Sequence, residues 1–314
     1  MQSTDRPVFP ALFMRIALLL LFSALTACNR YPGPITQPTT LIPPSHTATT
    51  TPQQPTETPS PTNAPATAIP SLTPTATPPS ESVQVIGTSV AGRPLVVHSF
   101  GCGAHERMIV AGIHGGYEWN TIALADQLIA HLRVHPEIVP PDVTLHILRS
   151  LNPDGEARGR DIYARANDNN VDLNRNWPSG WLVEWPPEGC WNALLPLSGG
   201  THAGSEPETQ ALMAFLESHA IEALVNYHSA ALGIFPGGQP PDTASLNFAA
   251  ALAQVSDYPY PPIDTGCLYS GQLIDWASDH GIAAIDLELT NHTDTDFARN
   301  LTILEVLLTW SLPP

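Results

Sequence analysis

The segment from Ile109 to Asn120 reads IVAGIHGGYEWN, and its order of residue types indicates how the chain folds. A strand-like apolar run, Met108 to Ile113, ends directly at His114. Two glycines then make a turn, and Glu118 opens a helix-like segment, Asn120 to Val134. A strand, a tight turn and a helix in this order are typical of an α/β fold.

The same alternation continues from Glu81 to Pro314. The further strand-like segments are Val83 to Ile86, Leu95 to Ser99, Val143 to Leu148, Ala223 to Tyr227 and Ala283 to Leu289. The further helix-like segments are Glu206 to Ser218, Ala244 to Val255, Gly271 to His280 and Asp296 to Trp310. This pattern predicts a single α/β domain, residues 81–314, that is long enough to bury one substantial core. Its sheet is expected to be mostly parallel or mixed. Ligands of such sheets bind beyond the carboxyl ends of the strands, so we expect the functional residues just after the strand-like runs.

Composition excludes several functions. The chain has 314 residues and a formal net charge of -17, and all 12 of its basic residues are arginines. An acidic chain without a basic stripe is not expected to bind nucleic acid. Without lysine, the chain has neither Schiff-base chemistry nor a Walker A phosphate loop.

The N-terminus has the features of an export signal. The apolar run from Ile16 to Leu25 is too short to span a bilayer and is typical of a signal-peptide core. It ends in LTAC, which resembles a bacterial lipobox. That resemblance implies that residues 1–27 are removed and that a lipidated Cys28 anchors the protein to the outer side of the cell membrane. The alternative is an ordinary secretory signal peptide.

Residues 28–80 form a separate region of biased composition. Threonine and proline dominate it from Tyr31 to Ser80. Proline cannot donate the backbone hydrogen bonds of helices and sheets, and too little apolar surface is present to offset chain entropy. The region is therefore predicted to be an extended, disordered stalk that contributes nothing to the folded domain.

Three cysteines remain in the exported part, Cys102, Cys190 and Cys267. A disulfide is permitted outside the cytoplasm. Three pairings are possible, each leaves one thiol over, and sequence does not choose among them.

Histidines and carboxylates recur at the ends of the predicted strands. His228 follows one apolar strand as His114 follows another, and Asp286 and Glu288 share one face of a third. Carboxylates inside an apolar strand are costly unless they are paired or belong to a site. A His-Glu-His set of His114, Glu118 and His228 would leave the fourth zinc position open for water, and a further glutamate would be available as a base. The alternative is a strand-end histidine in a glycine turn, with Glu118 only as a helix N-terminal charge.

A series of short motifs lies between these strands. In order, the chain has NPDG at 152–155, ARAN at 164–167, DLNRN at 172–176, SEPET at 205–209 and GQLIDW at 271–276. The series, from His114 to Glu288, resembles the zinc carboxypeptidase family, both the carboxypeptidase A type and its bacterial γ-D-glutamyl-diaminoacid peptidase relatives. The resemblance implies the zinc-carboxypeptidase fold, with a twisted, mixed sheet of about eight strands flanked by helices.

The resemblance also implies roles for single residues. Asn174 and Arg175 would hold the terminal carboxylate of a substrate, which suits a guanidinium that binds carboxylates through two bonds. Arg165 would stabilise the oxyanion of the scissile carbonyl, and Glu288 would be the general base. In the alternatives, Arg175 pairs with Asp172 or Asp168 to tie a loop, and Arg165 is a surface arginine.

The chain departs from the family pattern at two places. Three residues separate His114 from Glu118, where the family has two, and the double glycine is expected to absorb the extra residue in the turn. Cys267 stands where the family has a mobile tyrosine, so that role passes to the nearby Tyr269. By alignment Ile274 would lie at the floor of the specificity pocket, which indicates an apolar terminal residue.

The sequence thus predicts a carboxypeptidase with one Zn²⁺ per chain that acts on peptides or cell-wall stem peptides. One alternative is a zinc-dependent deacylase or amidase of small N-acyl amino acids. The other is a surface-anchored binding module without catalysis, which the altered spacing between His114 and Glu118 favours.

Overall fold

The computed structural model of the protein describes residues 81–184, 197–230 and 233–312. The predicted signal peptide, the stalk and the lipidated Cys28 lie outside these residues. Within them, no helix combines the length and the apolar character needed to cross a bilayer. Of the cysteines in this part of the chain, Cys102 is a free, exposed thiol and Cys267 is disulfide-bonded.

The fold is built on one sheet of seven strands among the described residues, where about eight were predicted. The strands are β1 (Ser82–Thr88), β2 (Pro94–Gly101), β3 (His105–Val110), β4 (Val143–Leu148), β5 (Ile221–Ser229), β6 (Gly233–Pro236) and β7 (Ala283–Leu289). Their order across the sheet is β1-β2-β4-β3-β5-β7-β6. Neighbours among β4, β3, β5 and β7 are parallel, and the pairs β1–β2, β2–β4 and β6–β7 are antiparallel. The predicted α/β fold with a mixed sheet is confirmed.

Helices cover both faces of the sheet. They are α1 (Trp119–Val134), α2 (Pro153–Arg158), α3 (Pro207–Ser218), α4 (Thr243–Val255), α5 (Leu273–Asp279) and α6 (Phe297–Thr309). Buried apolar residues of α1, α4 and α6 form one core with one face of the sheet, and those of α3 and α5 form a second core with the other face. The resulting three layers are those expected when helices cover a largely parallel sheet.

Among the described residues, β6 and α2 were not predicted from the sequence, and one predicted strand ends early. The predicted strand Met108 to Ile113 ends at Val110, because the backbone turns at Gly112, whose φ is +63°. The NPDG motif, for which no helix was predicted, begins the short helix α2, and Asn152 Oδ1 caps its first turn by accepting a hydrogen bond from the Gly155 amide at 2.8 Å.

The alternation of side chains along β5 and β7 positions the functional residues. The side chains of Val225 and Tyr227 enter the core beneath α1, α4 and α6. The residues between them point to the opposite face, and the parallel register pairs Asn226 with Asp286 and His228 with Glu288. Four polar residues therefore stand together on one face, towards the carboxyl ends of these two strands.

Candidate active site

A pocket of about 580 Å³ lies at the carboxyl ends of the central strands. Every residue that the sequence analysis linked to zinc, catalysis or substrate lines it, namely His114, Glu118, Arg165, Asn174, Arg175, His228, Tyr269, Ile274 and Glu288. Residues from separate parts of the sequence meet there because β3, β5 and β7 are adjacent in the sheet.

Three of these residues form a buried His-Glu-His cluster. The Nδ1 atoms of His114 and His228 are 3.2 Å apart, and Glu118 places Oε1 2.7 Å from the first and Oε2 3.2 Å from the second. Four-coordinate zinc with bonds of about 2.0–2.1 Å needs ligand atoms roughly 3.3 Å apart. The spacing and the donor types of the cluster therefore fit one zinc ion.

The extra residue between His114 and Glu118 is absorbed in a 3-10 turn, Gly115–Glu118. Gly115 has a φ of +50°, which favours glycine. A Cβ atom on Gly116 would come within 1.7 Å of the Gly159 carbonyl oxygen, so this position also requires glycine. The double glycine thus lets the longer connection bring Glu118 to the histidine.

Asp172 fixes the orientation of His114 by contacting the Nε2 side of its ring. Its Oδ1 is 3.2 Å from His114 Nε2, and its Oδ2 accepts a hydrogen bond from Arg165 Nε at 2.9 Å. Burial raises the pKa of Asp172, but the charges of Arg165 and His114 outweigh it and hold the pKa well below its usual range. An ionised carboxylate at Nε2 favours a proton on that nitrogen and leaves the Nδ1 lone pair for a metal.

His228 lies between two carboxylates. Its Nδ1 faces Glu118, and its Nε2 is 3.5 Å from Asp286 Oδ1. Burial lowers the pKa of His228, but the charges of Asp286 and Glu118 raise it well above its usual range. Burial likewise raises the pKa of Glu118, yet His114 and His228 hold it well below its usual range. The cluster is strongly suited to a bound positive charge.

Arg165 is buried beside the cluster and is not a surface arginine. One of its terminal nitrogens, Nη1, is 3.1 Å from His114 Nδ1 and 3.4 Å from Glu118 Oε1. Its ion pair with Asp172 fixes the guanidinium in this place. The N–H groups of Arg165 therefore face the space next to the metal-ligand atoms.

Arg175 is also buried, in the wall of the same pocket. Its Nη1 donates a hydrogen bond to the Asn174 carbonyl at 2.7 Å, and its guanidinium carbon lies 5.2 Å from the centre of the Tyr269 ring. Burial lowers the pKa of Arg175 from its usual value, and the charge of Asp172 opposes this effect only in part. Asp168, one suggested partner of Arg175, forms an ion pair with Arg158 on the surface.

Glu288 is half-buried on β7 and lines the pocket next to the His-Glu-His cluster. Its strand pairing with His228 directs both side chains to the same face. Tyr117 is another pocket residue near it: burial raises the pKa of the Tyr117 phenol, and the charge of Glu118 and that of Glu288 raise it further.

Sequence reasoning did not assign a role in the site to several residues that line the pocket or contact the residues that line it. Asp172 was considered only as a partner of Arg175, and Asp286 only as a strand neighbour of Glu288. The alternation along β7 could have identified Asp286, because it places Asp286 and Glu288 on one face. His292, whose Nδ1 lies 3.1 Å from Ser229 Oγ, carried no signal in the sequence.

Comparisons with known proteins agree with this geometry. Residues 73–300 match the family described as zinc carboxypeptidase. Murein peptide amidase A of Escherichia coli strain K12 is 28% identical over 234 residues, which are 71% of this chain and 88% of the relative. Carboxypeptidase A4 of Mus musculus is 28% identical over 232 residues, 63% of this chain and 54% of the relative.

A solved structure is similar over most of the folded part. The murein-tripeptide amidase from Escherichia coli O157 superimposes with a TM-score of 0.56 at 25% sequence identity. The match covers 76% of this chain and 96% of that one. Because the family match spans residues 73–300, this chain belongs to the zinc carboxypeptidase family; it is a peptide hydrolase, and its cofactor is zinc.

Proposed function

We propose that the protein is a metallocarboxypeptidase that releases the terminal residue from peptides, including stem peptides of the cell wall. The observation that carries this proposal is the position of Arg175, a buried guanidinium in the same pocket as the His-Glu-His cluster. A carboxypeptidase needs these two parts together, one to hold the terminal carboxylate and one to hydrolyse the amide bond beside it.

Arg175 and Asn174 suit a substrate carboxylate. A guanidinium presents parallel N–H groups that bind a planar carboxylate through two charge-assisted hydrogen bonds. Asn174 is held in place where its Oδ1 accepts a hydrogen bond from the Leu273 amide of α5 at 3.0 Å. This arrangement would anchor the end of the peptide and place the amide bond beside His114 and His228.

His114, Glu118 and His228 would hold the zinc ion, which when bound would supply Lewis-acid chemistry and a water that is nucleophilic near neutral pH. Glu288 accepts the proton that the attacking water loses and transfers it to the nitrogen of the departing amine as the amide C–N bond breaks. Arg165 donates N–H groups to the carbonyl oxygen as negative charge develops on it. Asp172 keeps both His114 and Arg165 oriented during these steps.

The similarity to murein peptide amidases supports cell-wall peptides as substrates, since the match covers 88% of the relative from Escherichia coli. The altered spacing between His114 and Glu118 was the reason to consider an inactive binding module. The turn at Gly115 and Gly116 accommodates that spacing, so the reason no longer applies.

The proposal includes a location. Cleavage after residue 27 and a lipidated Cys28 would anchor the enzyme outside the cytoplasm, with residues 28–80 as the tether. Cell-wall peptides are found in that compartment. The support is the apolar run before LTAC and the composition of the tether.

The test compares two substrates with the zinc-loaded protein. Wild type should release the terminal residue from a free-carboxylate peptide, cleave its amidated counterpart poorly, and lose activity when a chelator removes the metal. Arg175→Ala should lower kcat/KM for the free peptide about 10- to 150-fold, the value of a charge-assisted hydrogen bond of about 1.5–3 kcal/mol. Equal losses on both peptides would show that Arg175 only ties a loop, and the carboxypeptidase assignment would fail.

A further inference from the structure

Two histidines lie side by side at the end of α1, away from the active site. His131 is in the last turn of the helix, and His135 is the residue that caps it. The His135 amide donates a hydrogen bond to the His131 carbonyl at 2.9 Å, so helical hydrogen bonding continues to this residue. Residues four positions apart share one face of a helix, and two histidines at this spacing are a known pattern for binding a metal ion.

The two imidazole rings have the separation of ligands that share a metal ion. Their centres are 4.7 Å apart, and their planes are inclined at 45°. With zinc–nitrogen bonds of about 2.0–2.1 Å, each ring centre lies roughly 3.2 Å from the ion, so two ligands at an angle of about 90–110° have ring centres roughly 4.5–5.2 Å apart. His114 and His228 of the active-site cluster show the same separation, 4.7 Å, with planes inclined at 54°.

The ring nitrogens that a metal would need are available. In residues 81–184, 197–230 and 233–312, no hydrogen bond involves a ring nitrogen of His131 or the Nε2 atom of His135. His131 is partly exposed, and the side chain of His135 is 47% exposed. An ion in solution therefore has access to both rings.

A carboxylate lies at the other nitrogen of His135. Glu137 places Oε1 3.3 Å from His135 Nδ1. A carboxylate at Nδ1 favours a proton on that nitrogen and leaves the Nε2 lone pair for a metal. In the active site, Asp172 makes the equivalent contact with the ring of His114.

The charges around the two rings favour a cation. The end of α1 presents the negative end of the helix macrodipole to them. Arg133, which lies between the two histidines in the sequence, donates two hydrogen bonds of 2.8 Å to Glu81. That ion pair offsets the positive charge of the arginine, and Glu137 adds a negative charge beside His135.

We infer that His131 and His135 form a second metal site, on the protein surface, for a divalent transition-metal ion such as Zn²⁺. Imidazole suits Zn²⁺, Ni²⁺ and Cu²⁺, whereas Ca²⁺ and Mg²⁺ need oxygen ligands. Among the described residues, three histidine, cysteine or carboxylate side chains come close enough to share an ion only in the active-site cluster. Water therefore completes the coordination at the second site, and binding there is weaker than at the active site.

The second site is separate from the active site. Glu118 directly precedes α1, and His131 follows it by 13 positions, which corresponds to about 20 Å of helix. An ion at this distance does not touch a substrate in the pocket. It joins two positions of the same helix end, so its binding should stabilise that end and leave the hydrolytic steps unchanged.

The histidines have a competing role in packing. The ring of His131 meets that of Phe297 on α6 edge-on, with centres 5.8 Å apart. If the pair only covers the end of the helix, replacing either histidine changes the melting temperature equally with and without zinc. If the pair binds a metal, the change depends on zinc.

The experiment titrates Zn²⁺ into full-length protein that carries no added histidines, followed by calorimetry and native mass spectrometry. Wild type should bind two ions per chain, one tightly and one more weakly. His131→Ala and His135→Ala should each lose the weaker ion and keep both the tight ion and the hydrolysis of peptides. Glu137→Gln should weaken the second ion about 10-fold, the low end of the usual effect, because this carboxylate is 71% exposed.

His105→Ala is the matched control. His105 is also exposed, and its Nδ1 lies 2.8 Å from a carboxylate oxygen of Glu222, but no second histidine ring stacks beside it among the described residues. This variant should keep both ions. Saturating the second site should raise the melting temperature of wild type and of His105→Ala, but not that of His131→Ala, and Ca²⁺ should not replace zinc there.

Two outcomes would overturn the inference. Binding of a single zinc ion by wild type at saturation would do so and leave the carboxypeptidase proposal intact. A second ion that persists in both histidine variants would show that the extra metal binds elsewhere on this acidic chain. The proposed function fails separately, if wild type with the tight ion bound cleaves no free-carboxylate peptide.

Discussion

Replacing Asp172 by asparagine should weaken zinc binding and destabilise the fold together, because this buried carboxylate holds three groups. Its Oδ1 lies 3.2 Å from His114 Nε2 and accepts a bond from the Asn174 amide at 2.9 Å, while Oδ2 accepts from Arg165 Nε at 2.9 Å. Asparagine keeps the shape but has one accepting oxygen. Its amide nitrogen would face a donor whichever way the side chain is turned.

The size of the effect follows from burial. Asp172 is 0% exposed and Arg165 is 3% exposed, so solvent does not compensate the lost charge. Removing one partner of a buried ion pair typically costs about 3–5 kcal/mol. Since asparagine preserves one hydrogen bond, we expect about 3 kcal/mol of lost stability. Removing the carboxylate behind a metal-binding histidine typically lowers metal affinity about 10- to 100-fold.

Denaturant unfolding of the zinc-free proteins measures the first effect, and competition with a chelator of known affinity measures the second. Asp168→Asn on the same loop is the matched control, because Asp168 and its partner Arg158 are partly exposed. The control should lose less than about 1 kcal/mol and bind zinc normally. If Asp172→Asn behaved like Asp168→Asn in both assays, the argument that Asp172 orients His114 and Arg165 would be wrong.

Glu288→Gln should lower kcat about 10²- to 10⁴-fold in a peptide-hydrolysis assay while zinc stays bound; normal turnover would exclude Glu288 as the proton acceptor. Burial and the charge of His219 lower the pKa of His146 to about 4. The unfolded chain binds this proton near pH 6.5, so the free energy of unfolding should fall by up to about 3 kcal/mol between pH 6.5 and 4. In denaturant titrations at several pH values, His146→Phe should remove this contribution to the pH dependence of stability. Cys28→Ala should release the protein from membranes or leave an unprocessed precursor; unchanged fractionation and N-terminal mass would contradict lipidation.

The sequence predicted the long, strongly patterned elements and the order of the motifs. β4 and β7 have the predicted bounds, and the alternation of Asp286 and Glu288 with leucines correctly indicated one polar face on β7. These features depend on local periodicity, which a single sequence displays. The convergence of His114 and His228 was also predictable, because both follow strands of a largely parallel sheet.

Other features depend on contacts that no local pattern reports. β6 was not predicted, because its four residues include Gly233 and Pro236 and it gains order only by pairing with β7. The place of Asp172 between His114 and Arg165 depends on a loop that folds back over the sheet. No local pattern indicates that Gly116 lies close to the Gly159 carbonyl. This close approach allows the three-residue connection between His114 and Glu118.

The wide spacing along the chain of the three proposed zinc ligands links metal supply to the lifetime of the folded state. His114 and Glu118 are four positions apart, but His228 follows Glu118 by 110 positions. An unfolded chain cannot present all three at once, so zinc binds the assembled sheet and stabilises it by mass action, by about 4 kcal/mol at a thousand times the dissociation constant. Zinc depletion should therefore increase global unfolding, and a protease that cleaves unfolded chains would remove the enzyme faster when its metal is scarce.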